Sequence, residues 1–292
     1  MKDELYKNYC PAAGSFKFDE ETAHVFDNMV SRSIPYYKEV LRMSIETLTG
    51  HFTDLLKTHH GQAFMKNDAL MWWMYDLGSA TGNFLTAFAK TLASVENYPH
   101  WKDRFNLIGL DNAPAMNKQA RKKYLTPLTD KSASPSTPTI PTTPTHSYPN
   151  NHIQPKFEEA ELKTHTFPPQ THQHITSIVL QYTLQFIPPH HKKHLLEKIY
   201  HALISGGAVL ISEKIKHSHH SLNHAFTNYY EAFKERNDYH LLEIARKRRA
   251  LQNVLTELTL EDLTAILIEI GFKPPVILFK WYNFVTLLAI KP

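Results

Sequence analysis

The chain has 292 residues, of which 42% are hydrophobic, and a formal net charge of +4 from 32 basic and 28 acidic side chains. That charge is too small for the electrostatic footprint of a dedicated nucleic-acid binder. The single cysteine excludes an intrachain disulfide, no apolar run reaches the roughly twenty residues of a membrane span, and the amino terminus lacks the apolar stretch of a signal peptide. We therefore expect a cytoplasmic protein without a membrane anchor and without direct nucleic-acid binding.

The first strong pattern is a strand followed by a glycine turn. An apolar run over residues 71–77 predicts a buried strand, and Gly78 and Gly82 bracket a tight turn before a helical segment. The next apolar run ends at Asp111 and Asn112. A carboxylate in that position accepts hydrogen bonds from ribose hydroxyls in nucleotide-binding α/β folds. The two strand ends together predict a nucleoside site.

The glycine spacing bears on which nucleoside ligand is bound. A dinucleotide pyrophosphate is usually held by a Gly-x-Gly-x-x-Gly turn at a helix start, whereas this turn reads Gly-x-x-x-Gly. S-adenosyl-L-methionine has no phosphate, so its loop needs fewer glycines. The pattern favours S-adenosyl-L-methionine over a dinucleotide, and the alternative is an ordinary strand-to-helix turn that binds no ligand.

A change of composition marks residues 126–155, which are rich in Thr, Ser and Pro. Prolines lack an amide donor and short polar residues bury too little surface to offset chain entropy, so this segment predicts a disordered insertion within a domain. Beyond it, apolar runs at 175–180 and 208–211 flank a helical segment at 194–204, in the order that an α/β sheet requires.

The carboxyl end carries two apolar runs, 276–279 and 284–290, with only a short connection between them. No helix fits there, so a hairpin follows, with antiparallel pairing at one edge of an otherwise parallel sheet. We predict a Rossmann-like α/β fold of the class I methyltransferase type, with a mostly parallel seven-stranded sheet and helices on both faces.

Two helical segments precede this hairpin. Residues 222–233 carry an aromatic stripe, interpreted as a core or dimer-facing surface rather than a ligand cage. In the next segment Arg248 lies in the middle of an apolar stripe, formed by Leu241, Ile244, Ala245, Leu251 and Leu255. We therefore expect Arg248 to be partly buried and to have an anionic partner, either a ligand carboxylate or, in an internal salt bridge, Glu243 or Glu235.

Nineteen histidines raise the question of a metal site, with a local cluster over residues 217–224. No cysteine or carboxylate pattern completes a ligand set, and histidines are scattered along the whole chain. Compositional bias is the preferred interpretation, and no metal is predicted.

The chain also resembles a known family, that of carboxy-S-adenosyl-L-methionine synthases. The resemblance runs from about residue 16 to 124 and from about 157 to the end, outside the proline-rich insertion. The segments that carry it are 18–20, 25–29, 32–37, 111–116, 183–186, 210–214 and 247–254. It implies a single domain over residues 1–292 with a helical amino-terminal segment at 1–66.

The resemblance implies a specific reaction and set of partners. Members of this family convert S-adenosyl-L-methionine to carboxy-S-adenosyl-L-methionine, with prephenate as carboxyl donor and phenylpyruvate as by-product. A methyl group beside a sulfonium is acidic, and its ylide captures the carbon dioxide that the donor releases. The family forms homodimers, and a downstream tRNA carboxymethyltransferase uses the product to modify a wobble uridine. S-adenosyl-L-methionine is thus a substrate here.

The resemblance also implies a ligand site for a substrate-assisted reaction, in which the catalytic residues are not identified. The implied site residues are Tyr37, Gly78, Ser79, Ala80, Asp111, Asn112, Glu161, Leu162, Gln181 and Arg248. Arg248 would reach the neighbouring subunit's site, where it and Tyr37 position the carboxylate. The family pattern has Cys-Ser where this chain has Ser79-Ala80, Asp-Ile where it has Glu161-Leu162, and Asn where it has Gln181.

Two other functions stay open at this point. A conventional methyltransferase acting on a small molecule or tRNA has no use for a carboxylate-binding arginine. A non-catalytic S-adenosyl-L-methionine-binding protein keeps the nucleoside pocket but loses Tyr37 or Arg248, and both residues are present.

Overall fold

The computed structural model describes residues 1–95, 98–125, 153–169 and 174–292. Its strands are β1 (Trp72–Leu77), β2 (Phe105–Asp111), β3 (Lys156–Glu159), β4 (His174–Gln181), β5 (Leu203–Lys214), β6 (Val276–Trp281) and β7 (Phe284–Ile290). Its helices are α1 (Glu20–Ser33), α2 (Tyr37–Lys57), α3 (His59–Lys66), α4 (Asn83–Leu92), α5 (Tyr98–Trp101), α6 (Pro114–Leu125), α7 (Pro189–Ala202), α8 (His220–Arg236), α9 (Leu241–Ala250) and α10 (Leu260–Ile270). Short 3-10 turns lie at Lys102–Arg104 and Leu184–Phe186.

The seven strands form one sheet in the order β3-β2-β1-β4-β5-β7-β6. Neighbours from β3 to β5 pair in parallel, and β7 runs antiparallel to both β5 and β6. Only Tyr282 and Asn283 connect β6 to β7, and such a two-residue connection restricts the pair to a hairpin. The predicted fold class and the hairpin at the sheet edge are confirmed.

The sheet is buried on both faces by helices. Along β1, Trp72 and Met74 belong to one apolar cluster with α2 and α4, whereas Tyr75 and Leu77 belong to the other, with α7 and α10. Successive side chains of a strand point to opposite faces, so a strand that is buried on both sides needs a continuous apolar run. This explains why β1 could be predicted from composition alone.

The amino-terminal segment 1–66 contains α1, α2 and α3. Of the predicted insertion, residues 126–152 lie outside the described part of the chain. Ile153 and Pro155 are buried, and the Ile153 amide donates a 2.7 Å hydrogen bond to the Tyr98 hydroxyl. Packing against the core therefore extends back to Ile153. Within the described ranges, every helix is too short or too polar to cross a membrane.

Candidate active site

The turn after β1 has a backbone conformation that favours glycine at two positions. Gly78 and Gly82 both have φ of +73°, in the left-handed region. A Cβ atom on Gly78 would lie 2.5 Å from the Thr183 side chain. The amides of Gly78 and Ser79 donate to the Leu110 carbonyl at 2.7 and 3.1 Å, which fixes the turn to the end of β2. The two predicted strand ends therefore meet.

Asp111 holds the two loops together through both carboxylate oxygens. Its Oδ2 accepts from the Ala80 amide at 2.9 Å, and its Oδ1 accepts from the Ala113 amide at 2.8 Å. Burial raises the pKa of Asp111, and these two amides oppose that rise. A carboxylate oxygen has two lone pairs, so each can accept one further bond from a ligand hydroxyl.

Asp76 is a site residue that the sequence prediction missed. It is only 2% exposed and lies in β1 directly before the glycine turn. Burial raises the pKa of Asp76 to about 8, with a further contribution from the negative charge of Asp111. The available signal was a carboxylate inside an apolar strand, since such a group is seldom buried without a role.

One cavity of about 430 Å³ lies along the carboxyl ends of these strands. All of the predicted site residues except Arg248 line it. At its edge the Asn112 side-chain amide donates to Glu161 Oε2 at 3.1 Å, which joins the loop after β2 to the loop after β3. Phe18 forms part of one wall and contacts Phe186 at a ring-centroid distance of 5.2 Å. The amino-terminal segment thus covers the cavity.

Several polar atoms of the cavity wall are buried without a hydrogen-bond partner among the described residues. They are Ser79 Oγ, Gln181 Nε2 and the Tyr182 hydroxyl. A buried donor or acceptor left unpaired costs about 1–3 kcal/mol.

Tyr37 lines the cavity within a polar cluster that joins α1, α4 and α6. The Asn83 side-chain amide donates to the Tyr37 hydroxyl at 3.2 Å and to Asp27 Oδ1 at 3.0 Å. Asp27 also accepts from Thr81 Oγ1 at 2.6 Å and pairs with Lys123 Nζ at 2.7 Å. Burial raises the pKa of Tyr37 to about 12, so the hydroxyl stays protonated near neutral pH.

Two lysines and an aromatic ring also form part of the cavity wall. Lys214, Tyr230 and Lys247 all line it. The Lys247 side chain is 11% exposed, and its Nζ lies 3.8 Å from Asp3 Oδ2. Burial lowers the pKa of Lys247 to about 8, and Asp3 opposes that fall. The interpretation of the aromatic stripe as core or dimer surface alone was wrong for Tyr230, because this side of α8 faces the cavity.

The predicted burial of Arg248 is wrong in this chain. Its side chain is 64% exposed, and Nη1 pairs with Glu231 Oε1 at 2.7 Å rather than with Glu243 or Glu235. Leu241 is also exposed. The helix ends at Ala250, so Leu251 and Leu255 leave the helical pattern that placed Arg248 at its centre, and the buried side chains of α9 are Glu243, Ile244 and Ala250. Lys247, one residue away, faces the interior instead.

In the part of the chain that the structure describes, no group of three or more His, Cys, Asp or Glu side chains is arranged to hold a metal ion.

Comparison with solved structures finds a magnesium protoporphyrin IX methyltransferase from Synechocystis PCC 6803 with bound S-adenosylmethionine, at 11% identity, a TM-score of 0.47 and 91% coverage of both chains. No protein-family model matches the chain. Two carboxy-S-adenosyl-L-methionine synthases, from Nautilia profundicola and Helicobacter hepaticus, are each 32% identical over 291 residues and are covered over their full length, as is this chain. At this identity over the full length, the chain belongs to the carboxy-S-adenosyl-L-methionine synthase family.

Proposed function

We propose that this enzyme converts S-adenosyl-L-methionine to carboxy-S-adenosyl-L-methionine, with prephenate as carboxyl donor and phenylpyruvate as by-product. The relatives are named for the product of this reaction, carboxy-S-adenosyl-L-methionine. The choice of donor comes from the family resemblance, and the chemistry of the cavity supports it.

The observation that carries the proposal is that one cavity is lined by two unlike sets of residues. One set is the glycine turn and Asp111, which suit an adenosyl group and its ribose. The other set is Lys214 and Lys247, which suit an anionic second substrate. A conventional methyltransferase needs room for a methyl acceptor but no cations there. Prephenate is a dianion, and this arrangement gives it a place beside the sulfonium.

The proposed reaction balances without an external acid or base. Prephenate loses its ring carboxyl as carbon dioxide and its ring hydroxyl as hydroxide, which leaves phenylpyruvate. The hydroxide removes a proton from the sulfonium methyl and becomes water. The ylide carbon then attacks carbon dioxide and becomes a carboxymethyl group. The protein's part is to hold both substrates together and to exclude bulk water, which would protonate the ylide.

The cavity residues have distinct parts in this scheme. Asp111 would accept hydrogen bonds from the ribose, and the backbone of Gly78 and Ala80 would lie along the methionine portion. The protonated Tyr37 hydroxyl would donate to the carboxylate next to the sulfonium. None of these groups transfers a proton, in keeping with a substrate-assisted reaction.

We further propose a homodimer in which Arg248 enters the neighbouring subunit's cavity. Its exposure supports this, as does the exposure of Leu241 and Leu242 on the same helix, at 67% and 59%. Apolar side chains that project into solvent beside a cation form a surface suited to a second copy. The product would pass in the cytoplasm to a tRNA carboxymethyltransferase that modifies a wobble uridine.

An isotope experiment tests the reaction. Prephenate labelled with ¹³C in its ring carboxyl is incubated with the protein and S-adenosyl-L-methionine, and the products are analysed by mass spectrometry. The label should appear in carboxy-S-adenosyl-L-methionine, with phenylpyruvate in equal amount. Unlabelled carboxymethyl product, or transfer of the methyl group to another molecule, would contradict the proposal.

Asp111→Ala should weaken S-adenosyl-L-methionine binding by about 1–3 kcal/mol, roughly 5- to 150-fold, as measured by calorimetry.

A mixing experiment tests the dimer. Arg248→Leu and Asp111→Ala are each expected to be impaired as homodimers. In a mixed dimer the Arg248→Leu subunit keeps its own Asp111 and receives Arg248 from the other chain, so one site of two is complete. An equal mixture should therefore regain about one quarter of the native activity. No recovery after subunit exchange would show that Arg248 does not act across an interface.

A further inference from the structure

Three lysines line the cavity or lie beside it, and the steps at the sulfonium assign no individual role to any of them. Lys214, Lys234 and Lys247 are here called the three-lysine cluster; the first two lie at the Tyr230 ring, and the Lys247 Nζ lies 5.6 Å from the centroid of the Tyr239 ring. The Nζ atoms of Lys234 and Lys214 lie 4.3 and 5.9 Å from the centroid of the Tyr230 ring. Lys214, Lys247 and Tyr230 line the cavity, and Lys234 lies beside them against the Tyr230 ring.

Lys234 is the least compensated member of the cluster. It is 6% exposed, and within the described residues its ammonium has neither a hydrogen-bond acceptor nor a carboxylate at ion-pair distance. Burial, together with the charge of Lys247, lowers the pKa of Lys234 to about 7, and the charge of Glu231 opposes that fall. A buried ammonium is stable only with an opposite charge nearby, so an anion in this part of the cavity would stabilise it.

The carboxylates around the cluster are only partly available to neutralise it. Glu257 pairs with Lys214 at 2.6 Å. Asp3 lies 3.8 Å from Lys247, beyond hydrogen-bond distance, because its Oδ2 accepts a 2.5 Å hydrogen bond from the Tyr239 hydroxyl. Among the residues that the structure describes, Lys247 Nζ donates only to Ser33 Oγ, at 3.5 Å. Its ammonium therefore keeps the capacity to bind a ligand oxygen from within the cavity.

We propose that the three-lysine cluster binds the carboxylate of the donor that is not transferred, the one on its α-keto side chain. This inference rests on the proposed function, in which the donor is a dianion. The two carboxylates of the donor differ in what they need. The ring carboxylate must leave as neutral carbon dioxide, so strong pairing with cations in the ground state would oppose its loss.

The side-chain carboxylate keeps its charge through the whole reaction. Cations that bind it can therefore orient the ring carboxyl towards the sulfonium without stabilising the ring–carboxyl bond that must break. Lys214 and Lys247 would contact this carboxylate directly. The ammonium of Lys234 lies over the Tyr230 ring, whose negative face attracts a cation. From there it would add positive charge near the carboxylate without contacting it directly.

The test compares Lys247→Met and Lys234→Met with Lys118→Met, which removes an exposed lysine of α6 that pairs with Glu20 at 3.1 Å. The KM for prephenate should rise about ten- to hundredfold in the first two variants, since each loses a charge-assisted contact or its supporting charge. The dissociation constant of S-adenosyl-L-methionine should stay near the native value. Lys118→Met should behave as the native protein in both measurements.

Phenylpyruvate gives a second measurement that does not depend on turnover of the variants. It keeps the α-keto carboxylate and lacks the ring carboxylate, so its dissociation constant, measured by calorimetry, should rise in Lys247→Met and Lys234→Met. Phenylacetone, which lacks both carboxylates, should bind the native protein and the variants equally. Lys247→Arg keeps the charge and should recover much of the phenylpyruvate affinity. Such recovery would show that the weakening in Lys247→Met comes from loss of the charge and not from unfolding.

The outcomes separate the subsite from the reaction. If native protein turns over prephenate while both methionine variants keep the native KM and the native phenylpyruvate affinity, the role proposed for the three-lysine cluster is refuted and the proposed function stands. If native protein transfers no carboxyl group from prephenate, the proposed function fails, and the subsite falls with it. Equal weakening of phenylpyruvate and phenylacetone would mean that the lysines only maintain the shape of the cavity, which also refutes the subsite.

Discussion

Replacement of Arg248 by leucine separates a surface ion pair from a ligand-binding role. The Arg248 and Glu231 side chains are 64% and 22% exposed and pair at 2.7 Å. An ion pair so exposed to solvent contributes about 0.2–1 kcal/mol to stability. In a protein of this size that corresponds to a decrease in Tm of roughly 2–4 °C at most. If Arg248 also holds the new carboxylate in a neighbouring cavity, Arg248→Leu should cost about 2–5 kcal/mol in affinity for carboxy-S-adenosyl-L-methionine.

Glu231→Gln is the matched control for that variant. It breaks the same ion pair and keeps the arginine, so Tm should decrease to a similar extent while the affinity for the carboxylated ligand is preserved. Calorimetry with both sulfonium ligands and thermal unfolding of both variants are the required measurements. The reasoning is refuted if Arg248→Leu weakens both ligands equally, or if Glu231→Gln weakens the carboxylated ligand as much as Arg248→Leu does.

Three further results are expected. The pKa of Asp76 is raised to about 8 in the folded chain from an ordinary value of 3.8, so its contribution to stability is greatest at low pH and is lost as the pH rises between these values. Asp76→Asn should therefore gain stability relative to native protein from pH 6 to pH 9. A constant difference in Tm between the two proteins over this range would contradict this. Gly78→Ala should lose both stability and S-adenosyl-L-methionine affinity, because its Cβ would meet Thr183 at 2.5 Å, whereas Gly50→Ala in α2 meets nothing within 4 Å and should be neutral or stabilising. Deletion of residues 132–150 should leave Tm and ligand affinity nearly unchanged, since the Thr-, Ser- and Pro-rich composition predicts an insertion outside the core, and an unfolded deletion variant would refute that.

The parts of the fold that could be predicted depend on local sequence. The strand before the glycine turn is an apolar run interrupted only by Asp76, and the carboxyl-terminal hairpin follows from a connection too short for a helix. By contrast β3 has one buried residue, Phe157, among exposed ones, so no periodicity marks it. Its place in the sheet depends on pairing with β2, which is a long-range contact.

The lysines of the site could not be predicted for a related reason. The sequence places Arg248 in the middle of an apolar stripe when a helical pattern is continued through Leu251 and Leu255. The helix ends at Ala250, and the side chains that lie against Lys247 are Tyr239, eight residues before it, and Asp3, from the start of the chain. Which residue of a basic run faces the interior depends on where the helix ends and on what packs against it. Neither is present in local periodicity.

This correction gives α9 a specific meaning in the proposed dimer. Consecutive residues of an α-helix point about 100° apart, so Lys247 and Arg248 cannot serve the same face. Lys247 faces its own cavity, and Arg248 points to solvent, where a second subunit would place its cavity. One turn of helix would then supply two cations. Lys247 would bind the untransferred carboxylate of the donor in its own subunit's site, and Arg248 would bind the carboxylate of the product in the other subunit's site. Because the two cations meet different carboxylates, their substitutions should differ in kind: Lys247→Met should raise the KM for prephenate, and Arg248→Leu should weaken the carboxylated product. If each variant shows the effect expected of the other, the proposed division between the two residues is wrong even if the dimer is correct.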